Sequence, residues 1–519
     1  MALDRERTVI DNTRSLITIL LNDLPTMQVF DRYLHGRHDL PYMPDSADEE
    51  YMLIAERATM NWMPLLVDTP TQAMYVDGYE PGLTALEASG PNERDNGFWE
   101  HWQHSRLDAR QSAIYRGAFA YGHAFTVTEW NEAKGRSETR GLSALTTSAL
   151  FSDAANDIEP VAALHVTRWP GDAGSHKRIP GEAYYWDDVA KYQIWFDTQV
   201  DNHTGDSTIK VGFKLIHRHG NTSCPVTRFA ATVDLEGRTI GIIGPIKLLQ
   251  DRINQTVFDL MIAQTFGSFK VRWATGMAPP LKKRVVWLRD ASGEIVRDGE
   301  GHPQVEDIVD QLDAQGRPIP EDINLNARRF MFAEDENVKY GAIDGTPLEG
   351  YINSVELAVQ QLAALSQTPP HYILGKIANL SAEALEAAET SLNRKIEVFK
   401  TSFGECWERV YNLASELDGN LAGQHDMTGE VKWRDMEGQG FARSADALLK
   451  LKEIEIPRKG LWRRVPGVTS TELAEWELLV EEEPSQIIAS SMRKAESVRG
   501  QQEEDLTPDP QLGDGDLEA

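Results

Sequence analysis

Apolar residues change their spacing along this chain, and the changes divide it. Residues 1 to 66 repeat at helical intervals, broken at "GRHDLPYMPDSADEE" where Pro, Asp and Ser cluster. "NWMPLLVDTPTQAMYVDGYE" predicts a helix and then a short strand carrying Met74 and Val76, and "FWEHWQHSRLDARQSAIYRGAFAYG" predicts a helix capped at Gly122. From there the period is two. "AFTVTEW", "VAALHVTRW", "YQIWFDT" and "IKVGFKLIHR" alternate, the last placing Ile209, Val211, Phe213 and Leu215 on one side, so 124 to 240 reads as mostly antiparallel sheet.

Helical spacing then returns. "GPIKLLQDRINQTVFDLMIAQTFGSF" starts on Gly244 and Pro245, where proline suits a first turn, and predicts a helix of about 36 Å. The strand "KVRWATG", a Gly-, Pro- and Asp-rich segment from 277 to 328, and a further strand in "ARRFMFAEDENVKYG" come next. "TPLEGYINSVELAVQQLAALSQ" predicts a helix with Tyr351, Val355, Val359, Leu362 and Leu365 on one face, stopped where Thr368 precedes Pro369. After "TPPHYILGKIAN", Ser381 is a suitable N-cap for a helix of about 55 Å whose stripe runs through Leu385, Ala388, Leu392, Ile396, Phe399, Phe403, Cys406, Val410, Ala414 and Leu417. Its charged residues, among them Glu386, Glu389, Arg394, Lys395 and Glu397, are expected largely on the other faces. "GEVKWRD" reads as a strand, 442 to 483 as helices around "IPRKGLWRRVPGVTS", and no internal repeat stands out. The fold class expected is α+β, in several domains.

Composition narrows the function. With 519 residues the chain exceeds a single core, and 41% hydrophobic with 26% charged residues predicts a soluble protein without a membrane-spanning run. The N-terminus lacks the features of a signal peptide and reads as a helix made in the cytoplasm. Acidic residues outnumber basic ones by 81 to 52, a net charge of -29, which argues against tight static binding of nucleic acid. Seven carboxylates without a base fill "EEDLTPDPQLGDGDLEA", an end expected to be disordered.

Catalytic signatures are scarce. "GKI" at Gly375 to Ile377 lacks the hydroxyl residue and the earlier glycine of a phosphate loop. The histidine pairs His35 with His38, His101 with His104 and His217 with His219 lack a third ligand at zinc spacing. Ser143 in "GLSALT" lacks the second glycine of a nucleophile elbow, and Asp45 with Asp48 reads as solvated. Cys224 and Cys406 cannot build a disulfide framework. No enzyme activity, cofactor or metal is expected. One basic run, "LKKRVVWLR" with Lys282, Lys283, Arg284 and Arg289, reads either as an exposed strand or as a contact to phosphates or an acidic partner; "RKGLWRR" has the same two readings.

The order of elements, with "NWMPLLVDTPTQAMYVDGYE", "WQHSRLDARQSAIYRGAFAYGHAFTVTEW", "FKVRWATG" and above all "LSQTPPHYILGKIANLSAEALEAAETSLNRKIEVFKTSFGECWERVYNLA", resembles the portal proteins of tailed bacteriophages, the SPP1-type family. The resemblance spans roughly residues 10 to 490. It implies a homo-oligomeric ring of about twelve subunits at one capsid vertex, with double-stranded DNA passing through a central channel during packaging and ejection. It also implies a mixed α/β wing over 1–243, stem helices over 244–269 and 346–366, a small α/β clip over 270–345 and a tunnel loop over 367–380. A long wing helix and strand would fill 381–439, a helical crown 440–490 and an acidic tail 491–519. Pro369, Pro370, His371, Tyr372, Lys376 and Asn379 would line the channel, the clip would carry the basic run, and Val355, Val359 and Leu362 would pack the stem. Implied partners are the large terminase motor, a head–tail adaptor, and the major capsid and scaffold proteins, in the virion and with no membrane. The alternatives are a virion or scaffold component without a channel, and an unrecognised hydrolase.

Overall fold

The computed structural model describes residues 2–43, 49–82, 97–172, 178–200, 207–268, 272–275, 281–313, 315–319, 339–342, 347–375, 382–434, 441–454 and 456–462, with scattered positions up to 480. It is a mixed α and β chain whose strand pairs are antiparallel, arranged as two compact units. The first comprises Met1–Tyr42, Thr59–Gln255 and Val355–Ala519; the second comprises Met43–Ala58 and Thr256–Ser354.

In the first unit α1 (Ala2–Leu34) buries Val9, Leu16, Ile17, Leu20 and Met27, a stripe with helical spacing. That stripe meets a five-stranded sheet built from β4 (Thr147–Leu150), β5 (Ala162–Arg168), β8 (Gly181–Trp186), β9 (Ala190–Val200) and β10 (Ser207–Arg218). The sheet order is β10-β9-β8-β5-β4, and the two-residue strands β6 (Gly171–Asp172) and β7 (Arg178–Ile179) pair beside it in sequence. Ile209 is buried and Val211 and Phe213 pack on the same core, as the alternation predicts. Leu215 departs from it and is exposed, although it still pairs with Tyr192 in the register of Phe213; the β9–β10 register shifts only beyond it, before His217.

A second sheet orders β11 (Val226–Ala230), β2 (His123–Asn131) and β3 (Arg136–Leu142). Near it lie α3 (Met63–Gln72), α4 (Phe98–His104) and α5 (Leu107–Tyr121), the last closed by Gly122 at φ 98° with its N–H on Ala118 O. Across this sheet runs α9 (Ala382–Asp418), which lies against β2, β3 and β11. Its stripe from Leu392 to Ala414 is buried as predicted, and Phe399, Phe403, Trp407 and Tyr411 join Trp102, Tyr115, Phe119 and Phe229 in a continuous aromatic cluster. At its centre Trp407 Nε1 donates to Tyr115 Oη at 2.7 Å. After the short α10 (Leu421–Gln424), β16 (Glu430–Trp433) pairs with β1 (Val76–Glu80), setting Val76 opposite Trp433 and Tyr79 opposite Val431. This closes the unit across most of the chain. Further along, α11 (Phe441–Glu453) and α12 (Arg458–Trp462) supply the helices expected after 440.

The boundary between units falls inside α6 (Ile243–Ser268) and α7 (Glu349–Ser366). In the second unit, α2 (Glu49–Arg57) and the Phe258 end of α6 bury Ala55, Ala58 and Phe258 with Ile54, Val257 and Met261 around them. β12 (Arg272–Thr275) pairs with β15 (Lys339–Ala342), and β13 (Lys283–Trp287) with β14 (Val305–Asp310). The strand reading of "ARRFMFAEDENVKYG" holds for its last residues; 327–338 lie outside the described residues.

The segment expected to be loop-rich instead holds a repeat. Asp290, Asp298 and Asp313 each open a turn of the form Asp-X-X-Gly-X, with a fourth copy at Asp234 in the first unit. In every copy the Asp Oδ1 accepts from the N–H groups two and four residues on, and the glycine has φ between 74° and 85°. Between them the backbone closes two rings: Leu288, Val296 and Gln304 bond cyclically, as do Lys282, Gln311 and Ile319. The correction to the sequence reading has a physical reason: the repeat lies in turn chemistry, not in hydrophobic period.

Candidate functional site

Of the residues singled out between the two long helices, Pro369, Pro370, His371 and Tyr372 lie at the junction of α7, a single turn α8 (Pro370–Leu374) and the start of α9. On α7, Val359 and Leu362 are buried and Val355 half-buried, as the stripe predicts. Leu365 is 67% exposed and leaves the stripe, one residue before the helix ends.

The way α7 ends sets the direction of the chain beyond it. Gln367 adopts φ 55°, its N–H donates to Ala364 O, and Thr368 N–H donates to Ala363 O at 3.0 Å. These two bonds form a Schellman cap with glutamine where glycine is usual. Thr368 and Pro369 are then buried in extended conformation, and Pro370 opens α8 at its first position, where the missing N–H costs nothing. Residues 367–380, expected to be irregular throughout, thus include one helical turn; it is closed by Gly375 at φ 63° with its N–H on His371 O.

Polar contacts pin that turn to α9. Tyr372 Oη donates to Glu389 Oε1 at 3.2 Å, His371 Nε2 lies 3.9 Å from the same oxygen, and the two rings meet edge to face. Burial, with Glu389 alongside, raises the Tyr372 pKa. Lys376 and Asn379 lie outside the described residues. Two residues that the periodicity missed complete the site. Glu389 is the acceptor just described; Lys395, grouped with the charged residues expected largely off the stripe, is largely buried and donates from Nζ to Ser366 O at 2.9 Å, the end of α7. It stands between Leu392 and Ile396 in the stripe, a signal legible only once the C-terminus of α7 is known to lie over it.

The basic run belongs to the second unit. Lys283, Arg284 and Arg289 are exposed and Lys282 half-buried; Lys283 faces Asp310 across the β13–β14 ladder, and Arg289 Nη1 caps Gly293 O at 2.7 Å. The exposed-strand reading therefore holds for its geometry.

Side chains weighed for chemistry have structural partners. His101 is bonded to Ser137 and Thr139 at 2.9 Å each, and burial lowers its pKa to about 4. His38 contacts Asn254, Asn61 and the Tyr33 carbonyl. Ser143 Oγ accepts from Leu145 N–H, and the Cys224 and Cys406 thiols are buried and pushed up to about 12. Among the described residues no three His, Cys, Asp or Glu side chains gather as metal ligands, and no described helix is long and apolar enough to cross a membrane. Asp45 and Asp48 lie outside the described residues.

Residues 14–486 match the family described as phage portal protein, SPP1 Gp6-like, and the chain belongs to that family. It is similar to the portal protein of Mycobacterium phage D29, 33% identical over 125 residues, and to that of Mycobacterium phage L5, 31% identical over 125 residues. Each match covers 24% of this chain and spans 26% of the relative's length.

Proposed function

We propose that this chain is the subunit of a closed ring, of about twelve copies, at one vertex of a phage capsid, and that its channel conducts double-stranded DNA during packaging and ejection. The observation that carries the reading is the extent of the family match, 14–486, which runs through both long helices and the segment between them. In this reading 244–269 and 346–366 form a stem, 270–345 a clip, 367–380 a tunnel loop, 381–439 the long wing helix with its strand, and 440–490 a crown, the wing being completed by 1–243. Neither the chain nor its ring carries out catalysis. A separate terminase supplies the motor and docks with the head–tail adaptor at the clip, where Lys282, Lys283, Arg284 and Arg289 offer contacts.

Charge supports a conduit. A net -29 repels phosphates, so duplex DNA can slide without being gripped, while isolated cations such as Lys376 give short-lived contacts. Native mass measurement of the purified full chain tests the ring: multiples of 58.2 kDa near twelve are expected, and a monomer under all conditions refutes it. Lys376→Glu should leave assembly intact while lowering packaged DNA; a variant that no longer assembles would make the residue structural.

A further inference from the structure

Lys395 is a sheltered cation for which the described residues hold no answering acid. Its Nζ makes one hydrogen bond, to Ser366 O, and lies 5.7 Å from the centre of the Phe399 ring. Among the described residues no carboxylate comes within ion-pair distance, and burial alone, with no charged neighbour contributing, lowers its pKa to about 8. Three other sheltered cations of this unit are paired, Lys191 with Glu129 at 2.7 Å, Lys247 with Asp251 at 2.8 Å and Arg409 with Glu159, whereas the buried Arg228 is held by two carbonyls, those of Ala154 and Asp157. The C-terminal carbonyls of α7 offset part of the charge, since a helix end carries about half an elementary charge, but they leave a net cation in a poorly hydrated place.

The site is open on one side. Lys395 and Arg394 line a depression of about 640 Å³ whose other walls include Thr232, Gln367, Ser391 and Val398. That volume admits several side-chain groups, where one water takes about 30 Å³. Two of its lining residues are cationic, and beside them stand apolar Val398, 66% exposed, and the buried Phe399. A phosphodiester would use the cations and leave the exposed Val398 uncovered. A protein segment bearing a carboxylate beside an apolar group uses both, and this chain has 81 carboxylate side chains against 52 basic ones.

We propose that the depression beside Lys395 is a socket between subunits: a carboxylate on a second copy of this chain enters it and pairs with Lys395 and Arg394, while an adjoining apolar residue covers Val398. The contact is head to tail, each copy offering one socket and filling another, so it propagates around a ring. It rests on the ring reading and adds to it the chemistry of one joint.

Zero-length carbodiimide cross-linking of full-length chain tests this, because it joins an amine to a carboxylate only when they touch, forming an amide with loss of water. Assemblies grown from mixed unlabelled and heavy-nitrogen chains should give a Lys395 peptide amide-linked to an acidic peptide, in pairs of mixed isotope. Lys395→Met should lose that product and raise the concentration at which half the chain assembles about tenfold, corresponding to about 1.4 kcal/mol per joint, with the single chain still folded by circular dichroism. Assembled wild-type chain that yields no mixed-isotope product at Lys395, or Lys395→Met assembling as wild type, overturns the socket. Protection of Lys395 from acylation by added duplex DNA, rather than by assembly, assigns the depression to phosphate and equally overturns it. Wild-type chain that never assembles removes the ring reading and the socket together, whereas the first two outcomes remove the socket alone.

Discussion

Replacing Lys395 by methionine should make the isolated chain more stable, and the gain should disappear as pH rises. In the unfolded chain the ammonium holds its proton to the ordinary 10.5; in the folded chain burial lowers this to about 8. A cation whose folded pKa is depressed opposes folding wherever the unfolded chain is charged. The penalty is complete below about pH 8, falls between about 8 and 10.5, and is absent above. A drop of this size corresponds to about 3 kcal/mol. Against it stands the bond to Ser366 O, about 1 kcal/mol, which methionine cannot make. Near pH 7 Lys395→Met should therefore exceed wild type by about 2 kcal/mol, and above about pH 10.5 it should fall about 1 kcal/mol below. Urea unfolding of dilute, unassembled full-length chains across that range reads the difference directly, since groups common to both proteins cancel. A variant less stable than wild type near neutrality, by an amount independent of pH, would refute the reasoning and make the lysine an ordinary helix cap.

The same junction and its helix give further expected outcomes. Gln367→Gly relieves a left-handed non-glycine residue at the cap of α7 and should stabilise the chain by about 0.5 to 1 kcal/mol in urea unfolding; a loss would mean the glutamine side chain has a role of its own. Leu362→Asp buries an unpaired carboxylate and should cost about 3 kcal/mol or more, enough to show as a lowered melting temperature. Leu365→Asp, three residues on but exposed, should leave single-chain stability within about 0.5 kcal/mol. Equal effects at the two positions would contradict the observed end of the stripe.

Much of this fold was legible because its periods are clean. The stripe from Leu392 to Ala414 and the buried pair Val359 and Leu362 come directly from helical spacing, and Gly122 from the need for a left-handed cap. What escaped depends on chain paths that no local pattern encodes. Leu215 is exposed near the end of its strand, Leu365 is exposed one residue before α7 ends, and that end, bonded to α9, sheltered Lys395. The pairing of β1 with β16 is likewise invisible to any local window, since Val76 and Trp433 meet only after everything between them has folded. Of the candidate site, the prolines and His371 and Tyr372 could be singled out from sequence, because proline and helix caps are punctuation; the acceptor Glu389 could not, because its role depends on a neighbour seventeen positions away.

The Asp-X-X-Gly turns bear on how such a chain can change length. In the stretch from Arg289 to Pro303 one copy succeeds another after eight residues, with Arg289 and Arg297, Asp290 and Asp298, and Gly293 and Gly301 in register. Each copy satisfies its own backbone: the aspartate answers two N–H groups and an arginine from the same copy closes over the glycine carbonyl. Such a unit draws almost nothing from a shared core; its bonds to the neighbouring copy run through the backbone ring of Leu288, Val296 and Gln304, which a gained or lost copy must re-form. Duplication in steps of eight residues is thus a route by which this part of the chain can lengthen or shorten while the helices on either side stay unaltered.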